Sequence, residues 1–399
     1  MLNEAVKTYD GFDFYKMDNF MTDEQRELRD RVRAYVEEVV KPNIAPYWDR
    51  GEFARELVMP IKDLGILGGM IRGWGSAGLD PLEMGLTMYE LAKGDGSVST
   101  FYGVQSGLAM SSIGLLGNDE QRERWLPGMA NLELIGAFGL TEPARGSDAV
   151  GIQTTARRDG NDYILNGAKR WIGNASISDV LIIWARDEEG QLGAFVIEDA
   201  KSGIDGLTIE DIQGKMGKRA LLNGDIVMEN VRVPADNRLE KVRSFRDAAS
   251  VLMIGRTGVA WEAAGAAAGA FEAALKYATD REQFGKPIAS YQLIQQKLVE
   301  MATEVTQMQL ICFQLAQLTG MKQIDEGIAS MAKYNNAKKA RQVALLARET
   351  MGGNGLLAEN HVARLLTDAE VIYTYEGTNE INMLLVGRQI TGINAITSK

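Results

Sequence analysis

Cysteine and histidine are almost missing from this chain. Cys312 and His361 are the single representatives of their types among 399 residues. One cysteine excludes an intrachain disulfide and fits a reducing compartment. Metal centres and Ser-His-Asp triads draw on several such residues, so neither is expected, and no metal ligand is assigned. Apolar runs fall short of the roughly 20 residues that span a membrane. Positive charge is in deficit, with 43 Lys and Arg against 54 Asp and Glu, a net charge of -11 at pH 7. That balance argues against nucleic acid or an anionic membrane as partner, while leaving room for a local basic pocket around a phosphorylated ligand. The opening MLNEAVKTYDGFDFYK has neither a signal-peptide apolar core nor an Arg-rich transit pattern, and the closing ITSK is not a peroxisomal address. A cytoplasmic location is the expectation.

What is present reads as a soluble protein long enough for two or three domains. The chain changes rhythm twice, which predicts a mostly α protein with a β insert: a helical segment over 1–135, a β segment over 136–244 and a helical segment over 245–399. Thr22 followed by Gln25 is a capping box, and GNDEQRERWLPGMA repeats the style. Asp159-Gly160, Asn166-Gly167 and Asn223-Gly224 are hairpin-type turn signals, and VLIIWAR and GAFVIE are short β-rich runs. Ile294, Leu298, Met301, Val305, Met308, Cys312 and Leu315 alternate by four and three, the seam of a bundled helix. The Ala- and Gly-rich GVAWEAAGAAAGAFEAAL lets helices approach closely.

Five polar motifs stand at the joins. AFGLTEPARGSDAVG carries Thr141, Ser147 and amides around Gly146 that suit a polar heterocycle or phosphate, or else a plain interdomain loop. In NGAKRWIGNAS, Trp171 suits a planar cofactor, or the core. YATDREQFGKPIASYQ places Arg281 three residues from Phe284, with Gln292 at the next helix; the plain alternative is a helix connection. ETMGGNG is a Gly-rich turn or a helix C-cap, and it matches neither a dinucleotide nor a Walker pattern. VIYTYEGTNE sets Glu376 between aromatics and a Gly-Thr turn, as a pre-helix acid or as a base facing a cavity.

The order TEP-x-x-GSD, WI-x-N, DR-x-x-FG, GGNG, YEGT resembles the acyl-CoA dehydrogenase family over residues 15–396. DIQGKMGKR and LLVGRQITGINAI resemble its glutaryl-CoA dehydrogenase and plant short-chain acyl-CoA oxidase branch. The resemblance implies an N-terminal helical domain, a middle β-barrel-like domain and a C-terminal four-helix bundle. It also implies FAD as cofactor, an acyl-CoA substrate, a homotetramer, and electron transfer to an electron-transferring flavoprotein. Glu376 matches the family's general base, which takes an α-proton while the β-hydride passes to flavin, giving a trans-2-enoyl-CoA. Phe138, Leu140, Thr141, Trp171, Ile172 and Gly173 match the flavin-ring surroundings, and Gly146 and Ser147 the pyrophosphate and CoA arm. Arg281, Phe284 and Gln292 match contacts to a neighbouring subunit's FAD. Glu349, Met351, Gly352 and Gly353 match the adenosine loop, and Thr378 and Glu380 an ADP contact. Arg256, Tyr375 and Gly377 match residues beside base and substrate.

Three positions depart from the pattern. Ser99 stands where glutaryl-CoA dehydrogenases carry an arginine for the substrate's distal carboxylate, so a neutral short- or medium-chain acyl group is expected instead. Gly173 replaces a Thr near flavin N5, as in the plant oxidases, which keeps an oxygen-using oxidase as the alternative. Glu349 replaces a Gln of the medium-chain branch. A non-enzymatic acyl-CoA-binding scaffold is a third class, opposed by the intact Glu376.

Overall fold

In the computed structural model, residues 13–396 are described. The N-terminal part begins with α1 (Asp23–Tyr35) and, after several short helical pieces over 36–64, continues with α2 (Pro81–Gly94) and α3 (Gly96–Tyr102). The chain continues from α3 through a π-helical stretch, Gly103–Met110, into Ser111–Leu116, and then forms α4 (Asp119–Ala130). Both expected capping boxes form. Thr22 and Gln25 exchange bonds at α1, and Asn118 and Gln121 do so at α4.

Seven strands follow: β1 (Gly136–Gly139), β2 (Thr155–Asp159), β3 (Asp162–Gly173), β4 (Val180–Asp187), β5 (Leu192–Glu198), β6 (Leu207–Asp211) and β7 (Asn223–Pro234). They form one sheet in the order β1-β4-β2-β3-β7-β6, with β5 on β4. β1 and β2 run parallel to β4, and the other pairs are antiparallel. Its apolar core includes Leu165, Ile183, Phe195 and Val231.

Of the three turn signals, Asp159-Gly160 alone makes a hairpin, between β2 and β3. Asn166-Gly167 lies inside β3, where a register shift against β7 marks a bulge. Asn223-Gly224 opens β7, and Gly224 pairs with Ile172 on one side and Asp211 on the other. Glycine there serves close packing: a Cβ would stand 2.9 Å from the Cβ of Ala175.

The last part is helical again: α5 (Phe245–Asp280), α6 (Gln292–Gly320), α7 (Glu326–Thr350), α8 (Val362–Thr374) and α9 (Asn379–Thr391). On α6, Met301, Val305, Met308, Cys312 and Leu315 are buried, as their spacing predicts. First and last helices share one core. Gly85 on α2 lies against the Trp261 ring, and a Cβ on Gly265 of α5 would meet the Tyr89 carbonyl at 2.1 Å. These glycines bring α2 and α5 together. No described helix is long and apolar enough to cross a membrane.

Candidate active site

A cavity of about 1430 Å³ opens where the sheet meets the helices. Phe138, Leu140, Thr141, Gly146, Ser147, Trp171, Ile172 and Gly173 line it, as do Ser99, Arg256, Tyr375, Glu376, Gly377 and Thr378. The π-helical stretch contributes Gly103, Val104, Gly107 and Leu108. Such a stretch widens a helix turn and commonly borders a functional site.

The sheet side suits a planar, partly polar group. β1 delivers Phe138, whose ring packs against Trp184 at 5.9 Å. A second register shift in β3, between Lys169 and Ile172, throws Trp171 outward with φ +65 and 53% exposure. Below them, buried Lys169 bonds the Leu140 carbonyl at 3.0 Å and pairs with Glu142, which accepts from the amides of Gln153 and Thr154. That anchor fixes Leu140 and Thr141. A Cβ on Gly146 would meet nothing within 4 Å, so open space lies beside the hydroxyls of Thr141 and Ser147. Apolar planes flanked by hydroxyls around unfilled volume fit the isoalloxazine and the start of the phosphate arm of FAD. Gly173 leaves no gap where a longer side chain would stand. Its Cβ would lie 2.9 Å from a Val104 methyl, so Val104 fills that place.

The helical side carries Glu376 on the turn between α8 and α9. Glu376 has φ +53 and Gly377 φ +83, and Thr378 then caps α9 through the Ile381 amide. A non-glycine residue in the left-handed region is strained, and the turn is held against that strain from outside. Lys333 Nζ donates to the carbonyls of Gly377 at 2.8 Å and Tyr373 at 3.0 Å. Asn382 adds bonds to Gly377 and Thr378. So placed, Glu376 Oε2 is buried with no hydrogen-bond partner among the described residues. Burial pushes its pKa up to about 7, against the pull of Arg256 and Lys333. Burial likewise lowers Lys333 to about 8, opposed chiefly by Glu376. Arg256 is buried and bonds Glu326 at 3.1 Å, and Glu326 also holds Arg388 at 2.6 Å.

Arg281, Phe284, Gln292, Glu349, Met351, Gly352, Gly353 and Glu380 are not part of this cavity's lining. Most of them gather at one end of the helical bundle. Lys297 joins α6 to Glu349 at 2.7 Å, and Asn354 bonds Tyr277 near the end of α5. Phe284 is 95% exposed there, on a small hairpin just after α5. Met351 is buried beneath the turn. Glu380 is exposed and bonds the Tyr373 hydroxyl. His361 is spent on structure: burial drops its pKa to about 3, and its ring lies between the Lys93 carbonyl and Arg364. Among the described residues, no group of three or more His, Cys, Asp and Glu is placed to hold a metal.

Sequence reasoning missed Lys218 and Glu262. Both line the cavity and are 2% and 1% exposed, and they pair at 2.6 Å. The available signal was Glu262 itself, an acid in the middle of the small-residue run AWEAAGAAAG.

Three family models cover nearly the whole chain: the acyl-CoA dehydrogenase N-terminal domain at 22–133, middle domain at 137–231 and C-terminal domain at 245–391. A 3-(aryl)acrylate reductase of Clostridium sporogenes is 35% identical over 93% of this chain and 99% of its own. The crystal structure of a glutaryl-CoA dehydrogenase from Mycobacterium smegmatis is 38% identical with a TM-score of 0.94, covering 98% of this chain and all of the other. A glutaryl-CoA dehydrogenase structure from the same organism, in complex with FADH2, is 34% identical with the same TM-score and the same coverage. These relatives differ in the substrates that their names give. The chain belongs to the acyl-CoA dehydrogenase family of FAD-dependent oxidoreductases.

Proposed function

We propose that this protein is an acyl-CoA dehydrogenase for a short- or medium-chain acyl thioester with an uncharged end, and that Glu376 is its base. One observation carries the reading: a carboxylate oxygen in the cavity wall with no partner and a pKa near 7. An unpartnered carboxylate is available to a substrate proton, and a pKa near the working pH is where general-base transfer is most effective. The amide N–H of Glu376 also donates to no acceptor among the described residues. It is free to receive the negative charge that gathers on the thioester oxygen as the α-proton leaves.

FAD supplies the hydride acceptor, and the products are the trans-2-enoyl-CoA and the reduced cofactor. Phe138, Leu140, Trp171, Ile172 and Gly173 would bound its ring, with Thr141, Gly146 and Ser147 along its phosphate arm. Lys333 and Asn382 keep the base turn fixed, and Arg256 tempers the charge on Glu376. Arg281, Phe284, Gln292, Glu349, Met351, Gly352 and Gly353 would serve the FAD of a neighbouring copy in a homotetramer, together with Thr378 and Glu380 near its ADP. The exposure of Arg281, Phe284, Gln292 and Glu349, apart from the cavity, supports that division. Electrons would leave to an electron-transferring flavoprotein.

The test is anaerobic bleaching of the bound flavin by a panel of acyl-CoAs, followed by air. Bleaching by butyryl- or valeryl-CoA is expected. No bleaching by any thioester would sink the assignment, and peroxide formed as fast as an artificial acceptor is reduced would make the enzyme an oxidase.

A further inference from the structure

Glu262 lies two turns along α5 from Gly255, where a Cβ would touch Glu376 Oε2 at 2.7 Å. Seven residues of helix set Glu262 roughly 10 Å along α5 from the point where α5 passes Glu376. The Glu262 carboxylate is met on both oxygens. Oε1 accepts from Ser99 Oγ at 2.7 Å and from Lys218 Nζ at 2.6 Å, and Oε2 accepts from the Tyr375 hydroxyl. The three protons of Lys218 are likewise used, on Glu262, on Thr100 Oγ1 at 2.6 Å and on the Tyr375 oxygen. Lys218 has φ +48 and its amide is held by Asp368 of α8, which fixes its backbone, while the three bonds of Nζ fix its ammonium. One buried cation and one buried anion thus neutralise each other in the acyl cavity, and the ammonium has no proton to spare.

We propose that Glu262 takes, from within the chain, the place of a substrate's distal carboxylate: it occupies the Lys218 ammonium that a dicarboxylic acyl group would need, and so confines the cavity to acyl chains with an uncharged end. This rests on the acyl-CoA reading above. Ser99 adds only a hydroxyl, which already donates to Glu262. Arg256, the cation beside the base, is paired with Glu326. A second carboxylate brought to this end would meet Glu262, while Lys218 and Arg256 are ion-paired and Lys215, the next lysine in the lining, spends its protons on the Lys218 and Leu221 carbonyls and on Asn223, so its lost hydration would go uncompensated.

Glutaryl-CoA and valeryl-CoA have acyl chains of equal carbon number and differ at the far end, so their ratio is the readout. Dissociation constants are measured by calorimetry on the FAD-loaded Glu376→Gln protein, in which turnover is arrested, and flavin reduction rates on the wild type. The parent is expected to favour valeryl-CoA by about tenfold or more, and Glu262→Gln to move both ratios toward glutaryl-CoA by about tenfold or more. Adding Lys218→Met should cancel that gain. An unmoved ratio in Glu262→Gln, or a gain that survives Lys218→Met, overturns the proposal. If Glu262→Gln gives no FAD-loaded protein, the parent decides: tighter glutaryl-CoA binding overturns the proposal and weaker binding upholds it. Failure of the acyl-CoA reading looks different, because then neither thioester reduces the wild-type flavin.

Discussion

Glu262 receives hydrogen bonds from Ser99, Lys218 and Tyr375, whereas Glu376, in the wall of the same cavity, keeps Oε2 without a partner. Both residues stand near cations. The difference is geometric: Lys218 bonds the Glu262 carboxylate directly, while Lys333 spends its protons on the carbonyls of Gly377 and Tyr373. Lys333 therefore acts on Glu376 as a charge and holds its backbone, leaving the oxygen free. A buried carboxylate is structural where its bonds are complete and reactive where the protein fixes its backbone and withholds its partners.

Substitution tests that contrast most sharply at Glu376, the proposed base. Glu376→Gln keeps the shape and removes the proton acceptor. Flavin reduction by the best acyl-CoA should fall on the order of 10²- to 10⁴-fold or more, with FAD still bound. Stopped-flow absorbance under nitrogen measures it, and a wild-type rate would remove Glu376 from the chemistry.

The same substitution at the other glutamate should strike stability. Glu262→Gln leaves the Lys218 charge buried and unpaired, at a cost of about 3–5 kcal/mol. Denaturant melts of the FAD-loaded protein read this. A loss under about 1 kcal/mol would mean that the pair is not a buried ion pair in solution.

pH gives a second test of Glu376. The Glu376 pKa is raised from 4.5 to about 7 in the fold. Its charge therefore costs stability as pH rises above the unfolded value, and the cost is complete above about 7. Glu376→Gln should consequently raise Tm at pH 8 and lose that advantage near pH 4. For activity, kcat/KM should fall about tenfold per unit below pH 7 and level off above it. A profile flat from pH 5 to 8 would contradict a base with this pKa.

The smallest effect is expected from Ser99→Ala, which removes one of several donors to Glu262. About 1 kcal/mol of stability should go, with flavin reduction nearly unchanged. A loss as large as that of Glu262→Gln would show Ser99, not Lys218, to be the principal partner.

Local patterns were readable wherever neighbours in sequence do the work. Thr22 and Gln25 cap α1 through a contact three residues long, and the α6 seam follows from helical period alone. Asn166-Gly167 and Asn223-Gly224 misled because a dipeptide states what backbone it tolerates, not which strands flank it. Inside β3 and at the start of β7 that tolerance is used for a bulge and for close packing. YEGT marked Glu376 as a base by family order, while its strained turn and missing partner were not written in that motif.

Composition alone excluded an intrachain disulfide, and periodicity settled the helix-strand-helix order and the small-residue face of α5, because these depend on residues within a few positions of one another. The Glu262–Lys218 end of the cavity was decided only by tertiary structure. Glu262 meets Lys218 across 44 residues and Ser99 across 163, and Lys218 reaches Tyr375 across 157. Whether an acid becomes a base, a counter-ion or a surface charge depends on which donors reach it and how much water is left, and both are properties of packing between distant segments.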